Sequence, residues 1–280
     1  MSRPLRIEFN DAVYHITARG NARHAIFLSG EDFTDFLGIL SHFVKRYHFL
    51  LHAYCLMGNH YHLLIETPEG NLSQGMRQLN GIYAQHFNKK HQRVGHLLQG
   101  RYKSILVDKE NYLLELSRYM VLNPLRAGIV KDPGDYQWSS YQATAGNTPI
   151  PGLLTDWILS QFNKERRKAC IQYQAFIRSG INKTSPLKEV KSQLYLGKET
   201  FKKRISSLLK ESSKEVPRRQ RYFNRPSLDD ALHRFEKPQR DQAIYKAHVH
   251  YGYTLKEIAE HLGIHYATVS RAVKRMEEKD

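Results

Sequence analysis

The chain has 280 residues, enough for one large domain or two, and 41% of them are hydrophobic, which supplies a core and argues against disorder. Its formal charge is +16 and its pI about 9.7, with 27 Lys/Arg against 15 Asp/Glu in residues 151–280, a surplus that points to a polyanion, nucleic acid before an anionic membrane. No apolar run approaches the roughly 20 residues of a bilayer span, Met1 to Asn10 lacks the apolar stretch of a signal peptide, and the only cysteines, Cys55 and Cys170, form no disulfide framework or thiolate zinc pattern; a reducing cytoplasm is expected and a membrane partner is not.

Ala12 to Ala18 is rich in strand formers and stops at the turn signal Gly20-Asn21. Ser29 is a candidate N-cap for a helix over Glu31 to Tyr47, where Phe33, Phe36, Leu37, Leu40, Phe43 and Val44 recur at helical spacing. Leu50 to Met57 and His60 to Thr67 read as strands joined by Gly58-Asn59, which suits a tight antiparallel connection. Leu72 to Asn88 is predicted helical, Ser104 to Val107 a short strand, and Asn111 to Leu122 a helix that stops before Pro124. The order β-α-β-β-α-β-α predicts an α+β domain, an antiparallel sheet with helices covering one face.

Between Gly146 and Gly152 two glycines and two prolines interrupt both periodicities and predict a domain edge. Leu153 to Gly180 can add helices. Residues 181–237, with the basic run Arg218-Arg219-Gln220-Arg221, are expected to form part of a basic helical extension or a partly flexible linker that follows DNA. Pro238 to Tyr251, Thr254 to Glu260 and His265 to Lys274 are predicted as three helices, the second capped by Thr254 and followed by a turn at Gly263. Leu255, Ile258, Ala259, Leu262, Ile264, Val269 and Val273 fall where a helix-turn-helix needs its apolar tripod, which would turn Tyr266, Thr268, Ser270 and Arg271 outward to DNA. An ordinary helical hairpin packed on the first domain is the alternative. The expected division is 1–146, 147–237 and 238–280.

The sharpest local feature is Asn59-His60-Tyr61-His62 inside an apolar strand. Alternation sends His60 and His62 to one sheet face, where two imidazoles can converge on one ion; in a chain with 15 histidines such a pair is weak evidence by itself. In Arg118-Tyr119-Met120-Val121-Leu122-Asn123-Pro124, Tyr119 and Asn123 stand four apart and share a helix face. If that face looks toward the histidines, Asn123 can offer an oxygen as third ligand while Tyr119 points its hydroxyl at a bound phosphate. The plainer alternative is a half-buried aromatic and a C-terminal cap before Pro124.

Further blocks join these two: Tyr14-His15-Ile16-Thr17 with Arg19-Gly20-Asn21, Met57-Gly58-Asn59-His60-Tyr61-His62, Gln99-Gly100-Arg101-Tyr102-Lys103-Ser104, Arg118-Tyr119 through Asn123-Pro124-Leu125-Arg126-Ala127-Gly128, and Tyr136-Gln137-Trp138-Ser139-Ser140-Tyr141. In these blocks, over roughly the first 146 residues, the chain resembles the single-tyrosine HUH transposases, in particular the REP-associated tyrosine transposases of bacteria. The resemblance implies a ferredoxin-like, RRM-like sheet and a transesterification on single-stranded DNA beside a hairpin or palindrome. Tyr119 would attack the scissile phosphate to form a 5′-phosphotyrosine link and release a 3′-OH, so that rejoining needs no ATP. A divalent cation, Mg²⁺ or Mn²⁺, would be held by His60, His62 and Asn123, although other branches have glutamine at the Asn123 position. A free phenol titrates near pH 10 and needs help from a cation or base to attack at neutral pH.

Arg101, Lys103 and Arg126 lie in matching blocks and are phosphate-contact candidates, with a merely solvated basic face as the alternative. Tyr102 and Trp138 are expected in the core, base stacking being the other use for them. Minimal members of the family end soon after the nucleophile, so the basic C-terminal tail is expected to hold flanking, including duplex, DNA. The resemblance also raises a homodimer and a place in the bacterial cytoplasm beside the nucleoid. Rival readings are a non-catalytic DNA-binding regulator on the same fold, an RNA-binding module, and a metal-dependent hydrolase without a covalent step; His60, His62 and Tyr119 together favour the enzyme that cuts and rejoins DNA.

Overall fold

In the computed structural model, which describes residues 6–207, 225–232 and 237–277, the strands β1 (Ala12–Arg19), β2 (Leu50–Met57) and β3 (His60–Thr67) sit where the strand formers are. β2 and β3 pair antiparallel with Met57 opposite His60, so Gly58-Asn59 is a two-residue connection. The helix α1 (Gly30–Arg46) follows Ser29, which forms a capping box with Asp32. Helix α2 (Leu72–Lys90), strand β4 (Lys103–Val107) and helix α3 (Lys109–Val121) complete the expected order.

The sheet order is β2-β3-β1-β4-β5, of which the first four strands have the ferredoxin-like arrangement. The expectation of a purely antiparallel sheet needs correction: β5 (Tyr195–Leu196) adds to β4 in parallel, which makes the sheet mixed. Helices also cover both faces rather than one. Phe36 of α1 meets Tyr61, whose hydroxyl donates to Asn80 of α2, whereas Val13, Leu64, Cys55 and Met57 on the opposite face pack with Leu113, Leu116 and Met120 of α3. The face toward α3 carries Val13, Ala53, Cys55, Met57 and Leu64 and the opposite face Tyr61, Leu63 and Ile65, so both demand cover, and one layer of helices cannot reach both.

The described residues divide into two units, one running from Arg6 to Ser207 and one made of those from Arg225 onward. The edge expected at Gly146–Gly152 does not end the first unit. Beyond the short helices α4 (Asn123–Arg126) and α5 (Tyr141–Thr144), the chain runs along the outer edge of β2, where Leu56 N–H donates to Trp138 O, Ser140 N–H to Tyr54 O and Leu154 N–H to Leu51 O. A bare strand edge is satisfied in this way. Helices α6 (Asp156–Ser160) and α7 (Arg166–Arg178) then bury Ile158, Leu159, Ala169, Tyr173 and Ile177 in the core shared with α3, and α8 (Glu199–Ser206) follows β5. The basic run Arg218 to Arg221 lies outside the described residues.

The second unit contains α9 (Leu228–Ala231), α10 (Lys237–Val249), α11 (Leu255–Leu262) and α12 (Tyr266–Glu277). Thr254 forms a capping box with Glu257, and Gly263 closes α11 at φ 63°, a left-handed conformation that glycine adopts freely. Ile244, Ala247, Ile258, Ala259, Val269, Ala272 and Val273 form its core. The unit starts earlier than Pro238, because the Arg225 guanidinium lies 3.5 Å from the Tyr253 ring centre and the Tyr253 hydroxyl donates to Pro226 O.

Candidate active site

The register of the sheet builds the floor of the site. Thr17 on β1 stands opposite His62 on β3 and Lys103 on β4, and Arg19 stands opposite His60. Alternation gives these side chains one face, the face crossed by α3. The His60 and His62 rings lie 5.1 Å apart at 80°, and the Tyr119 ring, half-buried, lies 6.4 Å from His62 at 89°. Asn123 comes one helical turn after Tyr119, at the start of α4. All four line one cavity of about 680 Å³, together with Arg19, Gln99, Arg101, Lys103 and Arg126.

Burial governs the imidazoles. It lowers His60 to about 4, with the Arg19 charge adding to the effect, and holds His62 well below the usual histidine range, helped by His15, His60 and Arg19. Both rings are therefore neutral at pH 7 and each has one nitrogen lone pair to offer. For His60 the tautomer follows from Asn59. The Asn59 Nδ2 donates to Arg23 O at 3.1 Å, which turns Oδ1 toward His60 Nδ1 at 2.6 Å. An oxygen there can only accept, so Nδ1 carries the proton and Nε2 is bare.

Two neutral imidazoles and an amide suit a divalent cation that keeps part of its coordination shell for water and phosphate oxygens. The Asn123 Nδ2 is buried without a hydrogen-bond partner among the described residues; as a donor it can meet a phosphate oxygen, whereas its Oδ1 is the atom that can face a cation. No three His, Cys, Asp or Glu side chains among the described residues are arranged to enclose a metal ion.

Of the basic candidates, Arg101 and Lys103 are exposed at the cavity. Arg126 is more engaged: its guanidinium lies 5.2 Å from the Tyr119 ring centre and donates to Gly180 O and Lys183 O. Tyr102 is buried, with the Arg6 guanidinium 4.3 Å from its ring centre, and Trp138 is half-buried, stacked on Phe33 away from the cavity. In the second unit Tyr266 and Arg271 are exposed on α12, while Thr268 and Ser270 are half-buried on its flanks. Arg19, Thr17, Asn59 and Gln99 were not singled out from the sequence as site residues. The signal for Arg19 and Thr17 was the same alternation that placed His60 and His62 together, applied to β1.

Residues 8–122 match the family model described as Transposase IS200 like. That stretch is similar to the IS200-like transposases. Tyr119, His60 and His62 lie inside the matched stretch, and Asn123 follows it by one residue. Residues 225–280 match the model described as Homeodomain-like domain, in agreement with the helix-turn-helix of α11 and α12. A solved structure of a REP-associated tyrosine transposase bound to a REP hairpin is similar to the chain with a TM-score of 0.45 and 19% identity, over 54% of this chain and 90% of that one. None of the curated proteins matches it significantly. No helix among the described residues is long and apolar enough to cross a membrane.

Proposed function

We propose that the chain is a metal-dependent single-stranded DNA endonuclease and strand transferase that works through a 5′-phosphotyrosine link, on DNA beside hairpins or palindromic repeats. The observation that supports it best is the position of the Tyr119 ring, 6.4 Å from His62 across a cavity that also holds His60 and Asn123. A phenol carried on a core-packed helix, facing two neutral imidazoles and ringed by Arg19, Arg101 and Lys103, suits a phosphodiester better than an uncharged substrate.

His60, His62 and Asn123 would hold Mg²⁺ or Mn²⁺, which when bound supplies Lewis-acid polarisation of a phosphoryl oxygen. Arg19, Arg101 and Lys103 would bind and orient the strand through its phosphates. The Tyr119 oxygen would form the new bond to phosphorus as the bond to the 3′ oxygen breaks; the phenol proton leaves and the departing 3′ oxygen takes one up. Arg126 keeps a positive charge beside the phenol ring throughout. Attack by a 3′-OH on the phosphotyrosine reverses the bonds, so joining consumes no cofactor.

The second unit would bind the flanking duplex or hairpin through α12, with Tyr266, Thr268, Ser270 and Arg271 at or beside its outward face. The deciding experiment incubates the protein with labelled single-stranded DNA carrying a hairpin, with and without Mn²⁺, and resolves covalent adducts on a denaturing gel. A Mn²⁺-dependent adduct that disappears in Tyr119→Phe is expected. Tight binding without an adduct across a broad panel of hairpins would replace this reading with that of a non-catalytic DNA-binding regulator.

A further inference from the structure

His15 on β1 is 1% exposed and stands diagonally across from His62 on the same sheet face. Its Nε2 lies 2.9 Å from His62 Nδ1, with the two ring planes within 3° and the centres 5.2 Å apart. That contact is shorter than the about 3.5 Å at which ring faces can stack. The rings therefore meet edge to edge in a common plane, the geometry of an N–H···N hydrogen bond.

One proton is shared between these two nitrogens, and its place decides what His62 offers the cavity. If His15 donates, His62 keeps its own proton on Nε2 and has no lone pair for a cation. If His62 donates from Nδ1, Nε2 is bare. Arg19 puts a positive charge on the cavity side, which favours a bare nitrogen there over an N–H. Asn59 already imposes this arrangement on His60 through an oxygen that can only accept.

We propose that His15 is the positioning residue of the metal site: it accepts the Nδ1–H of His62, carries its own proton on Nδ1, and so holds His62 in the tautomer that presents Nε2 as a ligand. His15 is not itself a ligand, because its Nε2 is occupied by His62 and its ring does not line the cavity. The two histidines would thus be set by two different acceptors, Asn59 for His60 and His15 for His62, as outer partners commonly orient metal-binding imidazoles.

This inference rests on the function proposed above, and its test separates the two. In full-length, metal-free protein labelled with ¹⁵N-histidine, long-range ¹H–¹⁵N spectra report which nitrogen of each ring is protonated. The expected result is Nδ1–H for both His62 and His15; a proton on His62 Nε2 overturns the proposal. Mn²⁺ titrations of wild type, His15→Phe and His15→Gln supply the second readout. The phenylalanine should weaken binding about 10- to 100-fold. The glutamine, whose Oε1 can accept near the position of Nε2, should recover most of it. Wild-type affinity in His15→Phe, or an equal loss in both variants, counts against His15. Should His15→Phe fail to fold, the spectra and the glutamine variant still decide. If wild type takes up no Mn²⁺ at all, the proposed function fails while the spectra continue to judge the hydrogen bond.

Discussion

Burial at three histidines makes the site sensitive to acid. His15 and His60 are each lowered to about 4, by burial in both cases and by Arg19 as well at His60, and His62 is held well below the usual histidine range by burial and by His15, His60 and Arg19. An unfolded chain would titrate these groups near 6.5. Between about pH 6.5 and about pH 4 the unfolded state therefore binds more protons than the folded one, and stability rises with pH through that window. The metal-free protein should hold its highest Tm at or above neutral pH and lose stability as the pH falls toward 4, by an amount approaching ~3 kcal/mol for His15 alone. Thermal melts at pH 7, 5.5 and 4.5 check this; a flat Tm over that range would mean that these imidazoles are hydrated in the folded protein.

Among the elements, α3 matters most to the proposed chemistry, because it carries Tyr119 and is held from two sides. Leu113, Leu116 and Met120 press it onto the sheet. On its far side Arg118, 3% exposed, reaches α7: its guanidinium donates to Phe176 O, lies 4.1 Å from the Phe176 ring centre and pairs with Glu115. Gly180 makes room for it, since a Cβ there would come within 2.4 Å of the Arg118 side chain. Arg118 is thus a brace between helices rather than a hand toward DNA. Replacing it with Met keeps the bulk but removes the charged hydrogen bonds, and should destabilise the protein by about 2 kcal/mol in urea titrations. Adduct formation should fall less than in Tyr119→Phe. An unchanged denaturation midpoint would show that α7 does not depend on this side chain.

For the whole molecule, the two units have separate cores, and the surplus of positive charge lies mainly in residues 151–280. Removing residues 225–280 should leave cleavage of a short single strand intact while weakening binding to hairpins with a duplex stem. It should also flatten the salt dependence of that binding, because fewer phosphates are neutralised. Fluorescence anisotropy across a salt series reads both effects, and an unchanged slope would deny the second unit a part in DNA binding. The cut is placed at 225 rather than 238 because Arg225 and Pro226 are fastened to Tyr253.

The sequence by itself determined what depends on neighbours along the chain. Alternation in β1 and β3, the Gly58-Asn59 connection, the Ser29 and Thr254 caps and the i, i+4 spacing of Tyr119 and Asn123 are all local, and each predicted element is found within a few residues of its expected place. His60, His62 and Tyr119 were legible as candidates for the same reason. Tertiary structure decided everything that depends on which surfaces meet. It placed α3 on the face opposite α1 and α2, added β5 in parallel, and carried the first core past Gly146 through a strand edge that had to be satisfied. It also brought His15 against His62, and Arg19 opposite His60. Those pairings are set by strand register between residues some 40 or more positions apart, and no periodicity within either strand encodes the register they share.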